Sequence, residues 1–99
     1  MKRTFNSNYN KVYSACKQAL EDLDMSVEYN NKQKGAISAS TSSSIFSWGE
    51  TVDIKISDKD SGKTVVEVES NAKAQLIDWG KNEKNEQKIL DRIEDILAK

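Results

Sequence analysis

Paired carboxylates come nearest to a catalytic pattern in this chain. Glu67 and Glu69 lie two apart in an alternating segment, so both side chains share one face of a predicted strand. Asp58 and Asp60 lie in a predicted loop, where they could bind a cation weakly. Neither pair has the additional ligands that a calcium loop or a glycosidase needs. We therefore interpret all four as solvated surface charges.

The residue types that nucleophilic or metal-assisted catalysis needs are scarce. The 99 residues include no histidine, so neither a Ser-His nor a Cys-His pair can form. Cys16 is the only cysteine, which excludes an internal disulfide and a thiolate metal cluster. It falls in an apolar stripe, where a small buried hydrophobic residue is the favoured interpretation. The sequence therefore predicts a protein that is not an enzyme and that uses no metal or cofactor.

The charge balance restricts the classes of partner. The 15 basic and 16 acidic residues give a net charge of −1, whereas nucleic-acid-binding domains usually show a strong basic excess. Lys84, Lys88 and Arg92 form a stripe on the last predicted helix, but Asp91 and Asp95 lie within reach and favour a self-neutralising surface. No apolar run approaches the ~20 residues that span a bilayer, and the first residues do not resemble a signal peptide. We expect a cytoplasmic protein with no transmembrane segment, and the charge balance argues against nucleic-acid binding.

The sequence predicts two amphipathic helices. Apolar residues recur at steps of three and one, as on one face of a helix, at two places in the chain. The first helix carries Tyr9, Val12, Tyr13, Cys16, Ala19, Leu20 and Leu23, and the second carries Ile89, Leu90, Ile93, Ile96 and Leu97. Capping residue types at 6–8 precede the first helix. The first two turns of the second helix lack apolar residues, so we expect them to extend past the sheet.

Strands are predicted by alternation of apolar and polar residues. Met25, Val27 and Tyr29 alternate in one segment, and three further alternating segments cover 36–41, 51–57 and 63–70, the last continuing toward 76. With a short strand near Phe5, the order is β-α-β-β-β-β-α. The sequence predicts an α+β fold in which one antiparallel sheet of four to six strands carries both helices on one face. We expect residues 1–99 to form a single domain whose order resembles the small helix-grip architecture.

Two Trp-Gly corners are the features most open to a functional interpretation. Ser47-Trp48-Gly49-Glu50 and Asp78-Trp79-Gly80-Lys81 hold both tryptophans of the chain. Ile45 and Phe46 stand just before the first corner, at the end of a serine-rich stretch. These apolar side chains could close the end of a small core, which is the interpretation that we favour for a soluble monomer. The alternative is that part of this tip is exposed and meets a membrane surface or a partner, because tryptophan is enriched at such interfaces.

The paired motifs resemble those of a group of small, uncharacterised bacterial domains. Members carry S-W-G-E at the opening of a strand and, roughly thirty residues later, D-W-G-K-N before the last helix. The similarity extends from the first helix to the second. The resemblance implies a bacterial origin, and it brings no catalytic residue, ligand or cofactor with it.

The leading functional hypothesis is a non-enzymatic binding module with an unknown protein partner. Its predicted contact residues are Ile45, Phe46, Trp48 and Trp79. One alternative is a membrane-surface module that inserts the Ile45–Trp48 tip into the interface. Another is a pocket for an apolar ligand between the sheet and the C-terminal helix, lined by Tyr13, Cys16, Val66, Val68 and Ile93. We also predict that the two Trp-Gly corners lie close together.

Overall fold

One antiparallel sheet of five strands carries two helices in the computed structural model, which describes residues 1–41, 50–59, 62–72 and 81–98. This arrangement confirms the predicted α+β class and the predicted order of elements. The elements are β1 (Lys2–Phe5), α1 (Tyr9–Asp22), β2 (Met25–Asn31), β3 (Ala36–Thr41), β4 (Glu50–Lys59), β5 (Lys63–Ala72) and α2 (Lys81–Leu97).

The sheet is a four-stranded meander completed by the first strand of the chain. The spatial order is β1-β5-β4-β3-β2, and every neighbouring pair is antiparallel. The longest pairing joins β4 to β5, where Glu50 lies opposite Ala72 at one end and Lys59 lies opposite Lys63 at the other. The Glu50–Ala72 pair therefore marks one end of the sheet, and the Lys59–Lys63 pair marks the other.

Alternation in the strands produces the buried face. In β5 the side chains of Thr64, Val66, Val68 and Ser70 are buried, as the sequence predicts. The apolar side chains of the sheet and the two helices form one core, whose strand members are Phe5, Ile37, Ala39, Val52, Ile54, Ile56, Val66 and Val68. The opposite face is polar. On it Glu67 lies between Lys2 of β1 and Lys55 of β4, so charges of opposite sign are adjacent across three strands.

Helix α1 begins where the capping residues predict. Asn8 is the N-cap, and its Oδ1 accepts a hydrogen bond from the backbone N–H of Lys11 at 2.8 Å. After Leu23, the chain turns through Asp24, which adopts a left-handed conformation with φ of 60°. Aspartate tolerates this region better than most residues, so the helix ends without a glycine.

We expect Asn8→Ala to lower the free energy of unfolding by about 1 kcal/mol, because the first turn of α1 loses its side-chain acceptor. Asn10→Ala, in the same exposed first turn, is the matched control, since alanine there only raises helix propensity. Urea denaturation followed by circular dichroism would measure both. Equal losses in the two variants would contradict the role of Asn8 as the cap.

A β-bulge changes which face of the sheet Tyr29 occupies. The register between β2 and β3 shifts between Val27 and Tyr29. The predicted regular alternation of Met25, Val27 and Tyr29 is therefore wrong at its last member. Tyr29 is 50% exposed, whereas Met25 and Val27 pack against the core. The side chain that turns toward the helices beyond the bulge is Asn30, whose Oδ1 accepts a hydrogen bond from the Tyr13 hydroxyl at 2.9 Å.

Helix α2 contacts the sheet through its second turn as well as its apolar face. Glu86 Oε2 accepts a hydrogen bond from the backbone N–H of Ser70 at 2.9 Å. The expectation that the first two turns extend past the sheet is therefore wrong for Glu86. In the described part of the chain, neither helix has the length and apolar character needed to cross a bilayer.

Candidate binding site

The predicted contact residues Ile45, Phe46, Trp48 and Trp79 all lie outside the described residues. What the structure does establish is where the segments that contain them are attached. Glu50 and Ala72 are cross-strand partners, so segments 42–49 and 73–80 join the sheet on neighbouring strands at the same end. Helix α2 begins at Lys81, directly after the second segment, and its Glu86 contacts Ser70 near the same end of β5.

The five residues predicted to line an apolar pocket are all buried in the core. Tyr13 is 5% exposed, and Cys16, Val66, Val68 and Ile93 are each 0% exposed. They belong to the core cluster that joins both helices to the sheet.

Cys16 is a buried thiol, as its place in the apolar stripe predicts. It is fully enclosed, and burial raises the pKa of its thiol to about 12. The thiolate is the reactive form of cysteine, so the folded protein holds this residue in its unreactive state near neutral pH.

We expect the native protein to react with 5,5′-dithiobis(2-nitrobenzoate) at pH 8 at least about a hundredfold more slowly than the urea-unfolded chain, because burial both shields Cys16 and suppresses its thiolate. Absorbance of the released thionitrobenzoate gives both rates, and the unfolded chain serves as the fully accessible reference. Equal rates would mean that Cys16 is accessible in the folded state.

The described members of the carboxylate pairs lie on two strands, Asp58 on β4 and Glu67 and Glu69 on β5. Glu67 and Glu69 share the outward face of β5, and Glu69 lies opposite Asp53 on β4. Asp60 lies outside the described residues. Within the described ranges, no three His, Cys, Asp or Glu side chains are placed so that they could hold a metal ion.

The basic stripe of α2 is partly occupied by ion pairs with other elements. Arg92 binds Asp22 at the end of α1, with Nη2 and Nε at 2.8 and 2.9 Å from Oδ2. Asp91 accepts a hydrogen bond at 3.0 Å from Arg3 of β1. Arg92 and Asp91 therefore form ion pairs with other elements of the fold.

A polar cleft lies at the other end of the sheet, away from Glu50 and Ala72. It has a volume of about 490 Å³ and is formed by the start of α1, the turn between β2 and β3, and the last part of β4. Its lining residues are Tyr9, Asn10, Lys32, Gln33, Lys34, Ile56 and Asp58. The cleft is widely open to solvent rather than enclosed.

Tyrosine side chains hold the cleft's walls together. The Tyr9 hydroxyl donates a hydrogen bond to the Lys32 carbonyl at 2.6 Å, which ties α1 to the turn. The ring of Tyr9 stacks on that of Tyr13, with centroids 6.4 Å apart. The Lys32 ammonium lies 5.9 Å from the centre of the Tyr13 ring, a cation–π distance. Burial, followed by the nearby Asp58 carboxylate, raises the pKa of the Tyr9 hydroxyl.

Sequence reasoning missed this cleft because its residues are distant in the chain. Tyr9 and Tyr13 stand in the predicted apolar stripe of the first helix, and no local pattern links them to the turn between β2 and β3. Only the pairing of β3 with β4 brings the turn beside Ile56 and Asp58. A signal was nevertheless present, since Tyr9 stands at the start of the helix, where a side chain can reach a neighbouring loop.

Comparison with known proteins gives no relative from which a function could be transferred: neither a protein-family model nor a curated protein matches the chain.

Proposed function

We propose that this chain is a non-enzymatic binding module whose contact surface is the end of the sheet that carries segments 42–49 and 73–80. The observation that supports the proposal is the pairing of Glu50 with Ala72. It attaches both segments to adjacent strands, and the segments contain Ile45, Phe46, Trp48 and Trp79. Aromatic side chains of this kind dominate the energetics of protein interfaces.

Chain connectivity limits how far apart the two corners can be. Trp48 stands two residues before Glu50, and Trp79 stands two residues before Lys81. Two residues of extended chain span at most about 7 Å. The contact between Glu86 and Ser70 keeps the start of α2 near the end of β5. These restraints favour two neighbouring corners that act as one surface.

The proposed partner is a protein, and the proposal includes the bacterial origin that the resemblance implies and a cytoplasmic location. A module of this kind needs no catalytic group. That is consistent with a buried, unreactive Cys16. It is also consistent with the outward-facing Glu67, which lies opposite Lys2 on β1 and Lys55 on β4. A membrane surface is the competing partner for the same tip, and the experiment below separates the two.

The test uses each tryptophan as a separate probe. In a Trp79→Phe variant, emission reports on Trp48 alone, and in Trp48→Phe it reports on Trp79. Acrylamide quenching near that of N-acetyltryptophanamide, unchanged by vesicles of anionic phospholipid, is the expected result for a protein-contact surface. A blue shift on adding vesicles would replace the protein partner with a membrane surface.

Protection from quenching in both variants would overturn the proposal, because the tryptophans would then be core residues. Proximity is tested in the same samples. If the corners are neighbours, the emission spectrum of the parent protein differs from the sum of the spectra of the two single-tryptophan variants. The exposed Tyr29, which lies on the solvent-facing side of β2, provides the control: Tyr29→Phe should leave both emission maxima unchanged.

A further inference from the structure

The polar cleft formed by α1, the β2–β3 turn and β4 presents charges of both signs. Lys32 and Lys34 lie in the turn on one wall, and Asp58 lies near the end of β4 on another. Among the described residues, none of the three takes part in an ion pair. The cleft therefore combines two ammonium groups with a carboxylate, and these groups do not neutralise one another by direct contact.

The walls that carry these charges are held in place by backbone contacts. Gly35 closes the turn in a left-handed conformation with φ of 66°, and its carbonyl accepts a hydrogen bond from the Ile56 N–H at 2.7 Å. Asn31 Oδ1 accepts a hydrogen bond from the Lys34 N–H at 3.1 Å inside the turn. With the Tyr9 hydroxyl bound to Lys32, the turn is attached to both α1 and β4. Such preorganisation lowers the entropic cost of binding.

The remaining lining residues can contact the uncharged part of a ligand that carries both a positive and a negative group. Tyr9 is half-buried, whereas the Ile56 side chain is only 3% exposed, so the Tyr9 ring is the apolar surface that a ligand can reach. Asn10 and Gln33 add amide donors and acceptors that are exposed to solvent. A ligand with only a negative charge would be repelled by the Asp58 carboxylate. A ligand with only a positive charge would be repelled by the two lysines.

We propose that this cleft binds a small zwitterion of the α-amino acid class. Its carboxylate pairs with Lys32 and Lys34, its ammonium group pairs with Asp58, and its side chain packs on the ring of Tyr9. The cleft is distinct from the proposed protein-contact surface, because it lies at the opposite end of the sheet from Glu50 and Ala72, where segments 42–49 and 73–80 are attached.

Three probes of matched shape test the proposal: phenylalanine, 3-phenylpropanoate, which lacks the ammonium group, and 2-phenylethylamine, which lacks the carboxylate. Titration of the ¹⁵N-labelled protein, followed by amide chemical shifts, gives each dissociation constant. The expected result is that phenylalanine binds at least about tenfold more tightly than either half-ligand, with shifts at 9–10, 32–35 and 56–58. Equal affinities for the three probes, or an absence of shifts at those positions, would overturn it.

Charge-neutral variants assign the two halves of the ligand. Asp58→Asn should reduce the affinity for phenylalanine to that for 3-phenylpropanoate, and the double variant Lys32→Gln/Lys34→Gln should reduce it to that for 2-phenylethylamine. Lys17→Gln and Glu21→Gln are the matched controls, since both residues are exposed on α1 and neither lines the cleft. All these side chains are exposed, so the amide spectrum should remain that of the folded protein. Retention of the preference for phenylalanine in both cleft variants would contradict the proposal.

Discussion

Gly35→Ala is expected to lower the free energy of unfolding by about 2–5 kcal/mol, which combines left-handed strain with overpacking. The residue has φ of 66°, and a Cβ built there would lie 2.1 Å from the Ile56 carbonyl oxygen. It would also lie 2.7 Å from the Tyr9 hydroxyl oxygen. The first of these atoms belongs to the backbone of β4, so relief requires the β2–β3 turn to move away from the sheet.

Gly62→Ala is the matched control for this prediction. Gly62 also has a positive φ, of 72°, but a Cβ there would meet nothing within 4 Å. Its substitution should cost only the left-handed strain, about 1–2 kcal/mol. The midpoints of urea denaturation of the two variants and the parent would measure the difference. Equal destabilisation of the two variants would show that strain alone matters and that the turn is not held against β4.

Ile93→Ala is expected to lower the free energy of unfolding by about 2–5 kcal/mol, the usual cost of truncating a buried aliphatic side chain. Ile93 is 0% exposed and belongs to the core that joins α2 to the sheet and to α1. Truncation leaves a cavity between these layers, which the sheet is too constrained to fill.

Ile96→Ala applies the same chemical change three residues later, on the half-buried side of the same helix. Its expected cost is about 1 kcal/mol, because part of the side chain already contacts water. Thermal and urea denaturation of both variants would test whether α2 packs in the orientation described. A larger loss for Ile96→Ala than for Ile93→Ala would mean that α2 is rotated about its axis.

The fold could be predicted because its elements have clear periodicities. Steps of three and one placed both helices, and Val66 and Val68 alternate with polar residues on β5, so the buried face of the sheet was readable. The capping residues before Tyr9 located the start of α1 correctly. These signals are local, and connections of a few residues, such as 32–35 between β2 and β3, allow successive strands to pair antiparallel.

The candidate sites were less predictable, because they depend on contacts between distant parts of the chain. Alternation of apolar and polar residues does not predict the β-bulge that shifts the register of β2 between Val27 and Tyr29. Glu86 looked like one of many charges in a polar first half of α2, yet it accepts the N–H of Ser70. The cleft requires a helix, a turn and a strand to converge, and no motif marks that convergence.

The bulge in β2 also limits how this sheet can associate. Among the described strands β2 lies at the edge of the sheet, and a regular edge presents a row of N–H and C=O groups onto which another chain can add. The displaced register between Val27 and Tyr29 interrupts that row in the middle of the strand. Exposed Glu28, at the point of interruption, adds a charge that an incoming strand would have to desolvate. The bulge and the charge of Glu28 therefore make β2 a poorer template for strand addition than a regular edge strand.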